Sequence, residues 1–235
     1  MRKITEIEIN QLFDFTQKHY VEFYDVQVEL VDHLANAIEA QWTENPEISF
    51  EDALQIEFKK FGVFGFTSLV EQKQRELIKY YNKMLWREVL KFVSIPKVIL
   101  TAVLYMCIYF FLKKTGPLGE VIALVLLLGS FIYFIIDGFR YIHIIKREQQ
   151  KKSRRWLIQS VAKTTFTIPN IGLGGAYYSI VNNMFENNLG ISNVGIHFLT
   201  FFLVFHIIFM FVFYKVLKPS LNKSIQETEQ KYRLV

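Results

Sequence analysis

Three groupings of polar side chains in this chain have types and spacings suited to chemistry. The first is Glu29, Asp32 and His33, which stand within one helical turn of each other. An imidazole beside two carboxylates is material for a metal ligand set, a pH-responsive contact or a protein-recognition surface. No second His or Cys stands four residues on to complete a metal pair. The leading reading is therefore a histidine packed in its bundle with a ring nitrogen bonded to a carboxylate or to backbone. Partner recognition through Glu29, Asp32 and His33 is the functional alternative.

The second grouping is Lys163, Asn170, Gly172, Gly174 and Gly175, with Thr164, Thr165, Thr167 and Pro169 among them. Polar residues and helix breakers at membrane depth are tolerated only where they are buried in protein or line a cavity. Lys163 lies about 10 Å from Trp156 along a helix, close enough to an interface to snorkel. A buried functional charge is the alternative for it. The glycine cluster has no preceding strand and is no nucleotide fingerprint. It reads as close helix packing, with a broken-helix binding site as the alternative.

The third grouping comprises pairs. His197 and His206 are nine residues apart, on opposite faces of a helix, and are not a chelating pair. Asp137 and Arg140 are spaced to form an ion pair. Cys107 is the single cysteine, which excludes an intramolecular disulfide or a thiol pair. No nucleophile–base spacing, HExxH or phosphate-binding loop occurs, so neither an enzyme nor a cofactor is expected. A membrane enzyme assembled from separate helices remains the third-ranked class.

The elements that must position these residues are dominated by Val98–Phe139. Two apolar blocks, Val98–Leu112 and Val121–Phe139, flank a short Lys113–Gly119 link, and each approaches the length of a bilayer core. They read as a transmembrane hairpin with spans over 94–112 and 120–139. Val194–Leu217 is a further span, with Phe198, Phe202, Phe205 and Phe209 on one face. Between Arg140 and Arg155 there are seven Lys or Arg against Glu148 alone, which places that segment in the cytoplasm. Lys215, Lys218 and Lys223 place the end of the last span on the same side. Parity then requires another span, over about 156–181.

The front of the chain differs in charge. Residues 1–66 hold five Lys or Arg against thirteen Asp or Glu, within a net charge of +5 for the 235 residues. Basic residues that flank apolar spans meet lipid headgroups and set topology, so nucleic-acid binding is not expected. The first residues are charged and then mixed, with no signal-peptide pattern. Ile4–His19 is helix-compatible. Tyr24, Val28, Val31, Ala35, Ile38 and Trp42 form a stripe at helical spacing that stops before Asn45-Pro46. Asp25, Glu29, Asp32 and Glu39 fall mostly off it, on a solvated face. Ser49 with Asp52 reads as a helix cap, Leu54, Phe58 and Phe61 as a stripe, and Gly62 as a left-handed stop. A long helix with Val70, Leu77, Tyr81 and Met84 on one side follows. With no strand pattern, the expected fold is all-α: a small cytoplasmic helical bundle (1–90), a four-helix transmembrane region (91–217) and a cytoplasmic tail (218–235).

Glu29-Leu30-Val31-Asp32-His33-Leu34, then Ile38-Glu39, Ser49-x-Glu51-Asp52-Ala53-Leu54 and Lys60-Phe61-Gly62 carry a resemblance. Residues 20–65 resemble the HAAS-type, or permease-prefix, helical domain of bacterial membrane proteins. Asn45-Pro46 replaces a glycine turn of that pattern, and Val63-Phe64 stands where an acidic-proline pair often follows. The resemblance implies a cytoplasmic domain serving signalling or regulation, fused to spans in a bacterial inner membrane. The expected function is thus a non-enzymatic, multi-pass regulatory protein with both termini cytoplasmic, whose prefix binds a cytoplasmic or membrane protein partner. A small transporter using the polar third span is the alternative. The glycine patch and the phenylalanine-lined span are compatible with a homo-oligomer.

Overall fold

The computed structural model describes residues 2–152, 154–186 and 193–232; the side chains of 168, 170, 171 and 183–186 also fall outside the description. Among the described residues the regular structure is all helical: α1 Glu6–Lys18, α2 Tyr24–Glu44, α3 Phe50–Lys59, α4 Phe66–Leu90, α5 Lys97–Thr115, α6 Pro117–Lys152, α7 Leu157–Glu186, α8 Asn193–Val212 and α9 Lys218–Lys231. A π-helical turn, Phe213–Leu217, joins α8 to α9. Two compact units emerge.

The first unit holds residues up to 78, residues 147–161 and residues from 224 onward. Local sequence explains its starts and stops. Thr5 and Glu8 form a full capping box: the Glu8 amide donates to Thr5 Oγ1 at 3.2 Å, and the Thr5 amide donates to Glu8 at 2.8 Å. Burial alone would raise the Glu8 carboxyl. The Thr5 hydrogen bonds and the Arg2 guanidinium outweigh it and hold the group below its ordinary value. Ser49 caps α3, accepting from the Asp52 amide at 3.0 Å, and Gly62 adopts φ +73° as the expected left-handed stop. Helix α2 ends at Glu44, before Asn45-Pro46.

The buried stripe of α2 is broader than the sequence suggests. It runs through Val26, Leu30, Val31, Leu34, Ala35, Ile38 and Trp42, while Val28 is only half-buried. Helix α2 packs on both α1 and α3, so it buries a wide face instead of a narrow seam. Its side chains join Leu12, Phe50, Leu54 and Phe66 in one core, and Leu157 from the first turn of α7 completes it.

The second unit holds residues 79–146 and 162–223. Among the described residues, three helices are long and apolar enough to cross a membrane: Lys97–Thr115, Pro117–Lys152 and the continuous helix Asn193–Lys231. The segment Arg140–Lys152 is not a loop. It continues α6, because Lys, Arg and Gln are good helix formers once a helix is nucleated upstream. Helix α7 runs unbroken over 30 residues with Pro169 inside it. A ring cluster forms the core: Phe134, Phe166 and Phe213 are fully buried, and Phe213 meets Phe134 and Phe166 edge-on at 4.9 and 4.7 Å. Helix α5 leans on α8 and buries Leu112 alone, leaving Ile99, Val103, Met106 and Phe110 outward.

Candidate functional sites

The acidic residues of α2 do not form one solvated face. Glu29 pairs with Lys73 of α4 at 2.6 Å. Glu39 accepts from the Ile4 amide at 3.0 Å. Asp32 and His33 are exposed. The His33 ring is not packed in the bundle; its edge meets Phe61, centroid to centroid at 6.3 Å. Two residues beyond Phe61 the chain makes a turn framed by Gly62 and Gly65, at φ +73° and +52°. Both angles favour glycine, and a Cβ on Gly65 would also press to 3.0 Å on the Phe58 ring. The turn presents Val63 at 98% exposure and Phe64 at 78%. His33 thus borders this end of α3 through Phe61, where Lys59, Lys60, Val63 and Phe64 are exposed, and Asp32 is the exposed residue before His33 on α2.

Asp25 is the second departure from the solvated face. Its Oδ1 accepts from the Leu157 amide at 3.1 Å, capping the first turn of α7 from another segment of the chain. The Tyr24 amide donates to the Arg155 carbonyl at 2.8 Å, and Arg155 reaches Glu22 at 2.6 Å. Burial raises the Asp25 carboxyl above its ordinary value, against the lowering effect of the Leu157 amide and other backbone donors. Tyr24, Trp156 and Tyr232 pack ring on ring at 5.7 to 6.5 Å. Lys152 pairs with Glu229 at 2.7 Å. Residues 152, 154–157 and 229–232 are thus built into the same unit as α1–α3.

In the second unit, Lys163 is half-buried in the second turn of α7. The side chain of Asn170 lies outside the described residues. The glycines do not act together: a Cβ added at Gly174 would lie 3.5 Å from the Phe131 ring, whereas Gly172 and Gly175 face open space. Asp137 does not pair with Arg140. It binds Lys218 with both oxygens, at 2.8 and 3.0 Å, because the helix that carries Lys218 brings an ammonium to a half-buried carboxylate while Arg140 points outward. The Lys218 ammonium also lies 5.3 to 5.7 Å from the rings of Tyr141, Phe166 and Tyr214. This cluster sits at the π-helical turn, a distortion frequent at functional positions.

The arrangement that sequence reading missed is centred on His206. Its ring is 5% exposed, with Tyr177 Oη of α7 at 2.6 Å from Nδ1 and Ser130 Oγ of α6 at 2.7 Å from Nε2. One proton assignment satisfies every group: Tyr177 donates to Nδ1, Nε2–H donates to Ser130, and Ser130 donates to the Leu127 carbonyl at 2.9 Å. Three helices are thereby joined through one neutral imidazole. The signal lay in register: His206 falls between Phe202 and Phe209 on the buried face of α8. His197 faces elsewhere, bonding Tyr105 at 2.6 Å and stacking on Tyr109 at 4.6 Å. Among the described residues no three metal-ligating side chains converge. Compared with protein families, with curated proteins and with solved structures, the chain matches none.

Proposed function

We propose that this chain is a regulatory, non-enzymatic multi-pass membrane protein of the HAAS type, whose helical prefix binds a protein partner on the cytoplasmic side of a bacterial inner membrane. The observation that carries the reading is the Gly62–Gly65 turn, which holds Val63 and Phe64 out in solvent just after Phe61, the ring that His33 meets. Large apolar side chains presented on a rigid turn favour a protein contact. The acidity of residues 1–66 disfavours anionic lipid as the occupant and favours a partner with basic residues around an apolar pocket.

Topology supports the same reading. Residues up to 78, 147–161 and 224 onward belong to one compact unit, and a bilayer does not divide a compact unit. Residues 162–223 then cross an even number of times, so α7 crosses together with α8. The basic C-terminal stretch of α6, Arg140–Lys152, favours the cytoplasm as the shared side. Purification of the full-length chain from cells tests the proposal. Wild type retains a soluble protein in fixed ratio, Asp32→Lys with Phe64→Ser loses it, and both forms unfold at the same temperature. Equal recovery by the variant contradicts the reading.

The buried Ser130–His206–Tyr177 chain favours a second reading, a small transporter, because ionisable groups at membrane depth mark transport paths more often than they serve packing alone. In reconstituted vesicles that reading requires a solute or proton flux that His206→Leu abolishes.

A further inference from the structure

Beyond the protein-partner surface, the first unit contains a cavity of about 360 Å³ lined by Gln17, Val21, Glu22, Tyr24, Gln27, Arg154 and Arg155. Its size falls within the range of small-molecule sites. Two arginines, Arg154 and Arg155, line it. Arg154 Cζ stands 4.0 Å from the Tyr24 ring centroid, and its Nη1 donates to the Tyr232 carbonyl at 3.4 Å. Arg155 is held by its own backbone, whose carbonyl accepts from Tyr24. The Gln27 carboxamide is positioned by a bond from Nε2 to the Val21 carbonyl at 2.6 Å. In the structure the Arg155 guanidinium is satisfied by the Glu22 carboxylate at 2.6 Å, with both side chains more than half exposed.

We propose that this cavity is a phosphate-recognising site, in which Glu22 holds Arg155 as an internal stand-in for the ligand's anion. Two forked guanidiniums and a carboxamide match the planar, multidentate demands of a phosphate group. The cavity carries two positive charges against one carboxylate. A dianionic phosphate displaces the single charge of Glu22 from Arg155, and the exposed Arg155–Glu22 pair costs little to open. The phosphate comes from a soluble phosphorylated molecule or from a lipid headgroup, and the chemistry of recognition is shared between them.

The competitor makes the proposal testable in both directions. The full-length chain is placed in nanodiscs of zwitterionic lipid and titrated calorimetrically with inorganic phosphate and pyrophosphate. A parallel arm measures retention of phosphatidylglycerol by native mass spectrometry. Arg155→Gln is expected to weaken binding about tenfold. Glu22→Gln is expected to tighten it several-fold, since the internal anion is gone. The same two changes seen with the soluble ions assign a soluble ligand. The same changes seen only in lipid retention assign a headgroup. Both support the site. Absence of binding in both arms overturns it, as does binding that Arg155→Gln and Glu22→Gln leave unchanged. Thermal unfolding of each variant separates a lost site from a lost fold, and neither outcome bears on the Val63–Phe64 surface.

Discussion

Asp25 accepts a hydrogen bond from the backbone amide of Leu157, 132 residues away in the chain. The same Leu157 places its side chain in the core of the prefix, at 3% exposure. One residue thus ties the first turn of α7 to the N-terminal bundle twice, through its amide and through its side chain.

The amide contact is separable from the charge. Asn caps a helix about as well as Asp, so Asp25→Asn keeps the acceptor and stays within about 0.5 kcal/mol of wild type, while Asp25→Ala costs about 1 kcal/mol. Thermal unfolding of the full chain in detergent measures both. The pH dependence of the Asp25 carboxyl, set by its burial rather than by the cap, carries a defined sign. Burial raises the Asp25 carboxyl in the folded state, so the folded chain holds that proton to higher pH than the unfolded one. Its contribution is full below the ordinary carboxylate range and is lost as pH rises through the raised value. Glu8 acts oppositely: its carboxyl is lowered, and its contribution is lost as pH falls through that lowered value. Asp25→Asn removes the first slope and leaves the second, which unfolding midpoints across an acid pH series resolve.

The side-chain contact is larger. Leu157→Ala removes a buried leucine from the prefix core and is expected to cost about 2 to 5 kcal/mol. Limited proteolysis then opens the first unit, with cleavage rising within residues 1–78.

These ties show what sequence pattern conveys here and what it does not. The Ser49 cap, the Gly62 stop and the apolar extents of α5, α6 and α8 are local and legible, since each depends on residues a turn or two apart. The Thr5–Glu8 box is equally local, and its T-x-x-E spacing is visible in the sequence, although it precedes only a weak apolar stripe. Leu157 and Asp25 are not legible, because a trans cap has no sequence period. Asp137 offered a neighbour at i+3 in Arg140, yet took Lys218, a choice fixed by helix packing. His206 was visible as a residue and hidden as a site, because its partners come from two other helices.

The Asp137–Lys218 pair is about one-fifth exposed on each side. Asp137→Asn leaves the ammonium without its counter-charge among rings and is expected to cost about 3 kcal/mol. Adding Lys218→Met recovers most of that loss. A double-mutant cycle on unfolding midpoints measures the recovery.

The His206 chain predicts a smaller coupling. Tyr177→Phe and His206→Leu remove the same hydrogen bond, so the double variant falls short of the summed single losses by about 1 kcal/mol. Additive losses contradict the bond.

The Gly62–Gly65 turn is the proposed dock for a soluble protein. A photo-crosslinking amino acid in place of Phe64, in the full-length chain in living cells, tests that role most directly. The expected result is one soluble protein crosslinked at Phe64, lost when Asp32→Lys is added and absent when the probe stands at Ile7, an exposed residue on α1. Crosslinks at Phe64 to lipid or to membrane proteins alone, or equal crosslinks from Ile7, contradict it.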